Sequence, residues 1–284
     1  TLSFSGISDV NVSSSAVQQI VLTGADLILE SQLSASQANV TVQPSNYTGA
    51  ALSVGANHGG LHLSDAELDR IVTSSALTLG SLQTDRVYLD GVSHTDTPAD
   101  VYVISMNSVS FENNANSFVT RLGVHADNHV TVSSPLSVSG GTLTMVADAT
   151  CNDTGVFTVT SSGSVTTTDN TFWIQAHDVD LVGTLTSGAS ATHFVGCSGV
   201  SIDVGGDGST TTGQMRVSQS ELQKLTSTNL TFNAETGSIH VYTTVSGDTS
   251  AITDRVTFNA YEYLVFAGSN VFKSVRGVAP KLNI

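Results

Sequence analysis

Two stretches of the chain, near residues 51–80 and 201–233, are copies of one another at an offset of about 150 residues. The clearest match pairs residues 61–71 with residues 215–225, and an apolar strand pattern follows in both copies. Self-similarity at this scale is typical of proteins that stack similar units, because one unit cannot bury its apolar face alone. The repeat therefore favours an architecture of stacked units.

Each copy also carries the same signal for the start of a helix. Ser64 is followed three residues later by Glu67, and Ser218 is followed in the same way by Glu221. This spacing is the capping box, in which the serine and the glutamate satisfy each other's backbone N–H groups. We therefore predict a short helical turn in each copy. The apolar residues expected to point from these turns into a core are Leu68, Ile71, Leu222 and Leu225.

A shorter repeat lies within the larger one. Strands with apolar residues at every second position end in alanine, and a polar bend follows each alanine. A period of two is typical of half-buried β-strands, and a small alanine fits the inner side of a corner between two strands. The pattern predicts coils of about 20–30 residues that stack about 4.8 Å apart. The alanines are Ala126, Ala147, Ala176, Ala234 and Ala260.

The predicted fold is all-β, a β-solenoid with short helical turns in its loops and a single domain over residues 1–284. About ten such coils would make a rod on the order of 50 Å long. The alternative is a β-sandwich, which also shows alternating strands and closely spaced turns. The alanine-then-bend repeat and the low content of proline and aromatic residues favour the solenoid. The chain is either a discrete unit or a segment of a longer repeat chain.

Several segments resemble the β-helix repeats of filamentous-haemagglutinin-type proteins, which are large secreted surface proteins. The most specific is Leu63–Ile71 followed by Leu77–Gly80, and residues 141–148 and 175–188 are also similar. The similar segments cover most of the chain from about residue 50 onward. The resemblance implies a right-handed parallel β-helix outside the cell, in an adhesive or structural protein, and it implies no enzyme activity.

Composition limits the expected partners and location. The 284 residues include 9 basic and 24 acidic side chains, which gives a net charge of −15. Nucleic acid is not an expected partner, because no basic surface is available to neutralise phosphates. Membrane insertion is not expected, since no apolar run approaches the ~18 residues of a membrane span. Few lysines and abundant serine, threonine, asparagine and glycine favour an extracellular or cell-surface location.

Two cysteines and five glycosylation sequons bear on the same question. Cys151 and Cys197 either form a disulfide bridge or remain two buried thiols, since a bridge needs Cα atoms within about 7 Å. The number of Asn-X-Ser/Thr sequons is close to what this composition gives by chance, so they are candidates only. The candidate asparagines are Asn11, Asn39, Asn46, Asn152 and Asn229.

The candidates for a metal site are three aspartates. Asp178 and Asp180 lie two residues apart beside His177, and Asp207 lies in a Gly-Gly-Asp-Gly stretch. Carboxylates in such positions suit Ca²⁺, but they also suit the polar corner of a coil or a surface loop. We therefore expect no resident cofactor, and at most loose binding of Ca²⁺ at the surface.

Sequence motifs of common enzymes are not present. The chain has no nucleophile elbow, no P-loop and no zinc-binding His-Glu-x-x-His sequence. Arg121 and Arg216, each expected to precede an apolar strand, could serve as the cation of a polysaccharide lyase, but nine basic residues make a cleft for an anionic polysaccharide poorly supported. The sequence predicts that the protein is not an enzyme.

The function expected from the sequence is therefore structural or adhesive. The ends of a solenoid expose unpaired strand edges, and an end-to-end contact that does not close produces a filament. The basic residues Lys273, Arg276 and Lys281, against an acidic body, would assist association with a second copy or with neighbouring repeats. Glycans or cell surfaces are the other expected partners. The alternative is a carbohydrate-binding or polysaccharide-degrading β-helix.

Overall fold

Parallel strands make up most of the chain. A computed structural model describes residues 2–4, 10–11, 18–45, 49–94, 99–207 and 214–283. Strands account for 53% of the residues and helices for 3%. Every strand pairing among the described residues is parallel. The prediction of an all-β fold is confirmed, and the antiparallel layers of a β-sandwich do not fit these pairings.

The strands are short, and two single-turn helices interrupt them. The helices are α1 (Asp65–Leu68) and α2 (Gln219–Leu222). The strands, in chain order, are β1 (Leu2–Phe4), β2 (Val10–Asn11), β3 (Gln19–Gly24), β4 (Leu27–Leu29), β5 (Leu33–Ser34), β6 (Asn39–Pro44), β7 (Ala51–Gly55), β8 (Leu61–Leu63), β9 (Ile71–Val72), β10 (Ala76–Gly80), β11 (Arg86–Asp90), β12 (Ser93–His94), β13 (Asp100–Ser105), β14 (Ser108–Phe111), β15 (Asn116–Phe118), β16 (Leu122–Ala126), β17 (His129–Val132), β18 (Pro135–Val138), β19 (Leu143–Val146), β20 (Val156–Val159), β21 (Ser164–Thr167), β22 (Phe172–Ala176), β23 (Asp178–Leu181), β24 (Thr184–Thr186), β25 (Ala191–Gly196), β26 (Ile202–Val204), β27 (Met215–Val217), β28 (Leu225–Ala234), β29 (Ile239–Val241), β30 (Ile252–Ala260), β31 (Tyr263–Phe266), β32 (Val275–Val278) and β33 (Lys281–Asn283).

The strands pair in a regular order. From β10 to β22, each strand pairs with the strand three elements later in the chain. The longest series of paired strands, which we call the first row, has the order β3, β6, β10, β13, β16, β19, β22, β25, β28, β30 and β32. A second row contains β8, β7, β11, β14, β17, β20 and β23, and a third contains β12, β15, β18, β21 and β24. One level of three strands, one in each row, is called a rung below.

The predicted alanines lie in one column along the first row. All five are buried, because they point to the inner side of the place where each first-row strand ends. A larger side chain there would meet the neighbouring rungs, which explains the small residues at every level. The column contains, in stacking order, Ser105, Ala126, Ala147, Ala176, Gly196, Ala234 and Ala260. The predicted shared position of the alanines is confirmed.

The 150-residue repeat corresponds to a backward step of the chain. In the first copy, β7 pairs with β11 on one side and with the following strand β8 on the other. In the second copy, β26 pairs in the same way with β29 and β27. A helix with a complete capping box follows β8 and β27, formed by Ser64 with Glu67 and by Ser218 with Glu221. The predicted helical turns are confirmed.

The apolar side chains form one continuous cluster from Leu22 to Leu264. Aromatic rings stack through neighbouring rungs. The ring centroids of Phe194 and Phe232 are 5.4 Å apart, and those of Phe232 and Phe258 are 5.6 Å apart.

Neither helix in the described part of the chain has the length and apolarity needed to cross a membrane.

Candidate functional site

Two strands form an apolar edge: β32, the last strand of the first row, and β33, the last strand of a separate sheet with the order β27, β26, β29, β31 and β33. We call these two strands together the terminal rung. Val275 pairs with the buried Val256, and Leu282 pairs with the buried Leu264, so both continue inward-facing columns. Val275 is nevertheless 48% exposed and Leu282 is 55% exposed. In the part of the chain that the structure describes, no strand pairs with the outer side of this rung.

Charge is distributed unevenly between the two ends. Residues 263–284 contain Lys273, Arg276 and Lys281 and no acidic residue, whereas residues 1–50 contain three acidic residues and no basic one. The terminal rung is therefore locally positive in a chain of net charge −15. A surface of this kind is complementary to the acidic remainder of a second copy.

The three aspartates predicted as metal candidates line one groove. Asp178, Asp180 and Asp207 border a groove of about 580 Å³, together with Arg216 and Lys224. Asp178 accepts hydrogen bonds from the backbone N–H of Arg216 at 2.8 Å and from its Nη2 at 3.3 Å. The groove thus brings the candidates together, but the Asp178 carboxylate is already bound by an arginine.

Local structure at this groove differs in part from expectation. Asp178 and Asp180 follow strand β22 and lie in the next strand, β23. Arg216 lies in the middle of β27 rather than ahead of a strand. The insertion of β27 beside β23 explains the arrangement, because it places Arg216 opposite Asp178. Among the described residues, no three His, Cys, Asp or Glu side chains are grouped closely enough to hold a metal ion. Loose binding of Ca²⁺ stays a prediction.

The capping glutamates bind neighbouring strands as well as their own helices. Glu67 Oε1 accepts a hydrogen bond from Leu29 N–H at 3.1 Å, and Glu221 Oε1 accepts one from Leu181 N–H at 3.1 Å. Burial raises the pKa of Glu67, but hydrogen bonds from Ser64 and Leu29 outweigh it, so the pKa lies below 4.5. For Glu221 burial is the larger effect and the pKa lies above 4.5. The sequence indicated the cap but not this second contact.

A buried carboxylate marks a further polar cluster on the second row. Asp90 is 3% exposed and accepts hydrogen bonds from His58 Nε2 at 2.8 Å and from Asn113 Nδ2 at 2.9 Å. The backbone and side-chain N–H groups of Asn114 also donate to it, at 2.9 and 2.7 Å. Burial raises the pKa of Asp90, but these hydrogen bonds outweigh burial and lower it to about 2. The His58 ring stacks on Tyr88 with centroids 5.2 Å apart.

The two cysteines are joined. Cys151 and Cys197 form a disulfide with Cα atoms 5.3 Å apart, which is within the range for a bridge. Gln175 lies beside both sulfurs, 3.6 Å from that of Cys151 and 3.8 Å from that of Cys197. The bridge therefore ties the loop after β19 to the end of β25, two rungs away in the first row.

The glycosylation candidates differ in accessibility. Asn11, Asn39 and Asn152 are exposed, and Asn229 is half-buried within β28. Asn46 lies outside the described residues. Asn152 is next to the disulfide, where the Thr154 hydroxyl donates a hydrogen bond to its side chain at 2.5 Å. The use of these sites stays a prediction.

The structure also shows an exposed aromatic surface that sequence reasoning missed. Trp173 is 39% exposed and stacks on His193, with centroids 4.0 Å apart and an interplanar angle of 7°. It borders a groove of about 390 Å³, here called the Trp173 groove, together with Arg121, Thr144 and Gln175. The signal was present in the alternation, because residues 172 and 174 point inward and residue 173 must therefore point outward.

Comparisons of the chain with protein-family models, with curated proteins and with solved structures found no match. The similarity to filamentous-haemagglutinin-type repeats therefore stays a prediction from the sequence.

Proposed function

We propose that the chain winds as a right-handed parallel β-helix, with one strand of each row in every coil from β10 to β24. Pairing with the strand three elements later, always in parallel, supports this winding. The right-handed sense follows from the strong preference of parallel crossover connections for that hand. The continuous apolar cluster supports a single domain.

The proposed role of this β-helix is that of an extracellular structural or adhesive rod, without catalysis. The single observation that carries the proposal is the terminal rung, which leaves Val275 and Leu282 exposed although both lie in inward-facing columns. Both are apolar, and the outer backbone groups of β32 and β33 form a sheet edge. A further coil stacked on this edge would bury both side chains and pair the edge.

A second copy of the chain is the proposed source of that coil in solution. The terminal rung is locally positive, and all the charged side chains of the first 50 residues are negative. The two ends of the chain therefore attract each other. Contact between opposite ends repeats without closing, and the product is a filament. In a longer chain, a neighbouring repeat would occupy the same edge.

The disulfide supports the proposed location. Structural disulfides persist in oxidising compartments, which include the extracellular space, and are rare in reducing ones. The bond between Cys151 and Cys197 is buried on the side of Cys197, which is 1% exposed. A buried bridge of this kind is expected to be structural.

Sedimentation velocity over a range of concentrations tests the proposed assembly. We expect the wild-type chain to form larger species as concentration rises, and a Val275→Lys, Leu282→Lys double variant to remain monomeric. The matched control is a Leu82→Lys, Val182→Lys double variant, which adds the same two charges at side chains that are 72% and 51% exposed, away from the terminal rung. The control should assemble like the wild type. A wild-type chain that stays monomeric at every concentration would disprove end-to-end assembly.

The second candidate function is carbohydrate binding by the side of the rod. The observation that favours it is the exposed indole of Trp173 beside polar side chains on the first row. This candidate is compatible with an adhesive role, because it uses a different surface from the terminal rung.

A further inference from the structure

The Trp173 groove lies on a ladder of outward-facing residues in the first row. The strand register places Tyr102, Gly123, Thr144, Trp173 and His193 on five successive rungs. Gly123 has no side chain, and a Cβ at that position would lie 2.9 Å from Cδ1 of Tyr102. The space above Gly123 is therefore taken by the Tyr102 ring, which lies along the row.

Each face of the Trp173 indole has a different neighbour. His193 covers one face at a centroid distance of 4.0 Å, and the opposite side borders the groove on the rung of Thr144. Burial lowers the pKa of His193, so its imidazole is neutral at pH 7. A neutral ring stacked behind the indole fixes its orientation without adding charge. The indole is therefore held with its free face directed along the row toward the rung of Thr144, where it forms a flat apolar wall of the groove.

The remaining side chains that line the groove supply hydrogen bonds. Thr142, Thr144 and Gln175 offer both donors and acceptors, and Arg121 offers donors only. The Arg121 guanidinium lies 5.8 Å from the centre of the Tyr102 ring, which orients it by a cation–π contact. Ligand sites typically combine an apolar wall with a few polar groups that fix orientation.

We propose that the Trp173 groove binds a neutral oligosaccharide that crosses the first row, with one sugar ring stacked on the free face of Trp173. This inference rests on the second function proposed above and is independent of assembly at the terminal rung. A pyranose ring matches the site because its C–H face packs on an aromatic ring while its hydroxyls reach the surrounding polar groups. A neutral chain is favoured over an anionic one. The net charge of −15 repels anions, and the groove offers a single basic side chain, Arg121, to offset that repulsion.

Intrinsic fluorescence provides a direct readout, because Trp173 is the single tryptophan of the chain. The probes are hexasaccharides of glucose, xylose and mannose, and a hexasaccharide of galacturonic acid as the anionic comparison. We expect at least one neutral probe to shift the emission to shorter wavelength and to protect it from acrylamide. The anionic probe should bind more weakly. Stronger binding of the anionic probe would contradict the inference.

Calorimetric titration of variants locates the site. We expect Trp173→Ala to weaken binding of the neutral probe at least about tenfold, and Trp173→Phe to weaken it less. The matched control is Tyr261→Ala, which removes another exposed aromatic ring, outside the groove, and should bind like the wild type. If the wild type binds a neutral probe and Trp173→Ala binds it equally well, the groove is the wrong site although carbohydrate binding stands. If no probe binds the wild type, both are wrong.

Discussion

Glu221 Oε1 accepts a hydrogen bond from the backbone N–H of Leu181 over 3.1 Å, across 40 residues of chain. The first copy of the repeat has the same contact between Glu67 and Leu29. In each copy the chain steps back, at β8 or at β27, and a short helix follows. The backbone N–H of Leu29 or Leu181 then has no strand carbonyl to bind, and the capping glutamate accepts its hydrogen bond. The repeated sequence thus encodes the same hydrogen bond between the capping glutamate and a strand at each backward step.

The two glutamates predict opposite dependences of stability on pH. The raised pKa of Glu221 gives a contribution to the free energy of unfolding that is full below the ordinary value of 4.5 and is lost as pH rises through the raised value. The lowered pKa of Glu67 gives a contribution that is present above 4.5 and is lost as pH falls through the lowered value.

Urea unfolding from about pH 3 to about pH 8 measures both effects. We expect Glu221→Gln to reduce the decline in stability above pH 4.5, and Glu67→Gln to reduce the loss below it. Each variant serves as the control for the other, since both remove one half of a capping box. The same change in the pH profile for both variants would contradict the assignment of opposite pKa shifts to Glu67 and Glu221.

Asp90 is predicted to be a main source of instability in acid. Its pKa of about 2 lies below the ordinary 3.8, so its contribution is present above 3.8 and is lost as pH falls toward 2. The difference corresponds to about 2 kcal/mol. We expect Asp90→Asn to lower stability by at least that amount at pH 7 and to show a smaller further loss in acid.

The control for Asp90→Asn is Asp254→Asn, which alters an exposed aspartate and should change stability by less than about 0.5 kcal/mol. Thermal unfolding at two pH values is sufficient. If the Asp90→Asn variant loses stability in acid in the same way as the wild type, a group other than Asp90 governs that loss.

Removal of the disulfide is expected to cost stability without changing the fold. A Cys151→Ser, Cys197→Ser double variant should lose about 2–4 kcal/mol, because a bridge limits the unfolded chain. A reducing agent should lower the melting temperature of the wild type and leave that of the double variant unchanged. Equal sensitivity of both proteins to the reductant would argue against the bridge.

The stacked phenylalanines are expected to be the most sensitive core positions. Phe232 lies between Phe194 and Phe258 and is fully buried, so Phe232→Ala should cost about 3–5 kcal/mol through the cavity that it creates. Tyr261→Ala, at a side chain that is 65% exposed, should cost less than about 0.5 kcal/mol. Denaturant unfolding compares the two variants. Similar losses would contradict the burial of Phe232.

Much of the fold was predictable because each strand carries its own orientation signal. The alternation around Ala126 and Ala176 fixed which side chains point inward, and the capping boxes at Ser64 and Ser218 fixed the start of each helix. These signals depend on local geometry alone. They are therefore readable without knowledge of which strands become neighbours.

The backward steps were not predictable, because they depend on the path of a loop. The turn between β7 and β8 has positive φ at Gly59 and Gly60, and a Cβ at Gly60 would lie 2.2 Å from the carbonyl oxygen of Ala51. The second copy has a different sequence between β26 and β27. Without that pairing, the sequence alone gave no reason to bring Arg216 to Asp178 or Glu221 to Leu181.

The central claim is that the strands of the first row stack at a constant spacing. Distances between spin labels test it most directly. Labels at Thr41 and Thr144, Thr41 and Thr231, and Thr41 and Thr257 are separated by four, seven and eight rungs of the first row. The native cysteines are bonded to each other and take no label. At the usual strand spacing we predict distances of roughly 19, 34 and 38 Å between the labelled backbone positions. Distances that do not increase in this order would contradict the stacked row and, with it, the proposed rod.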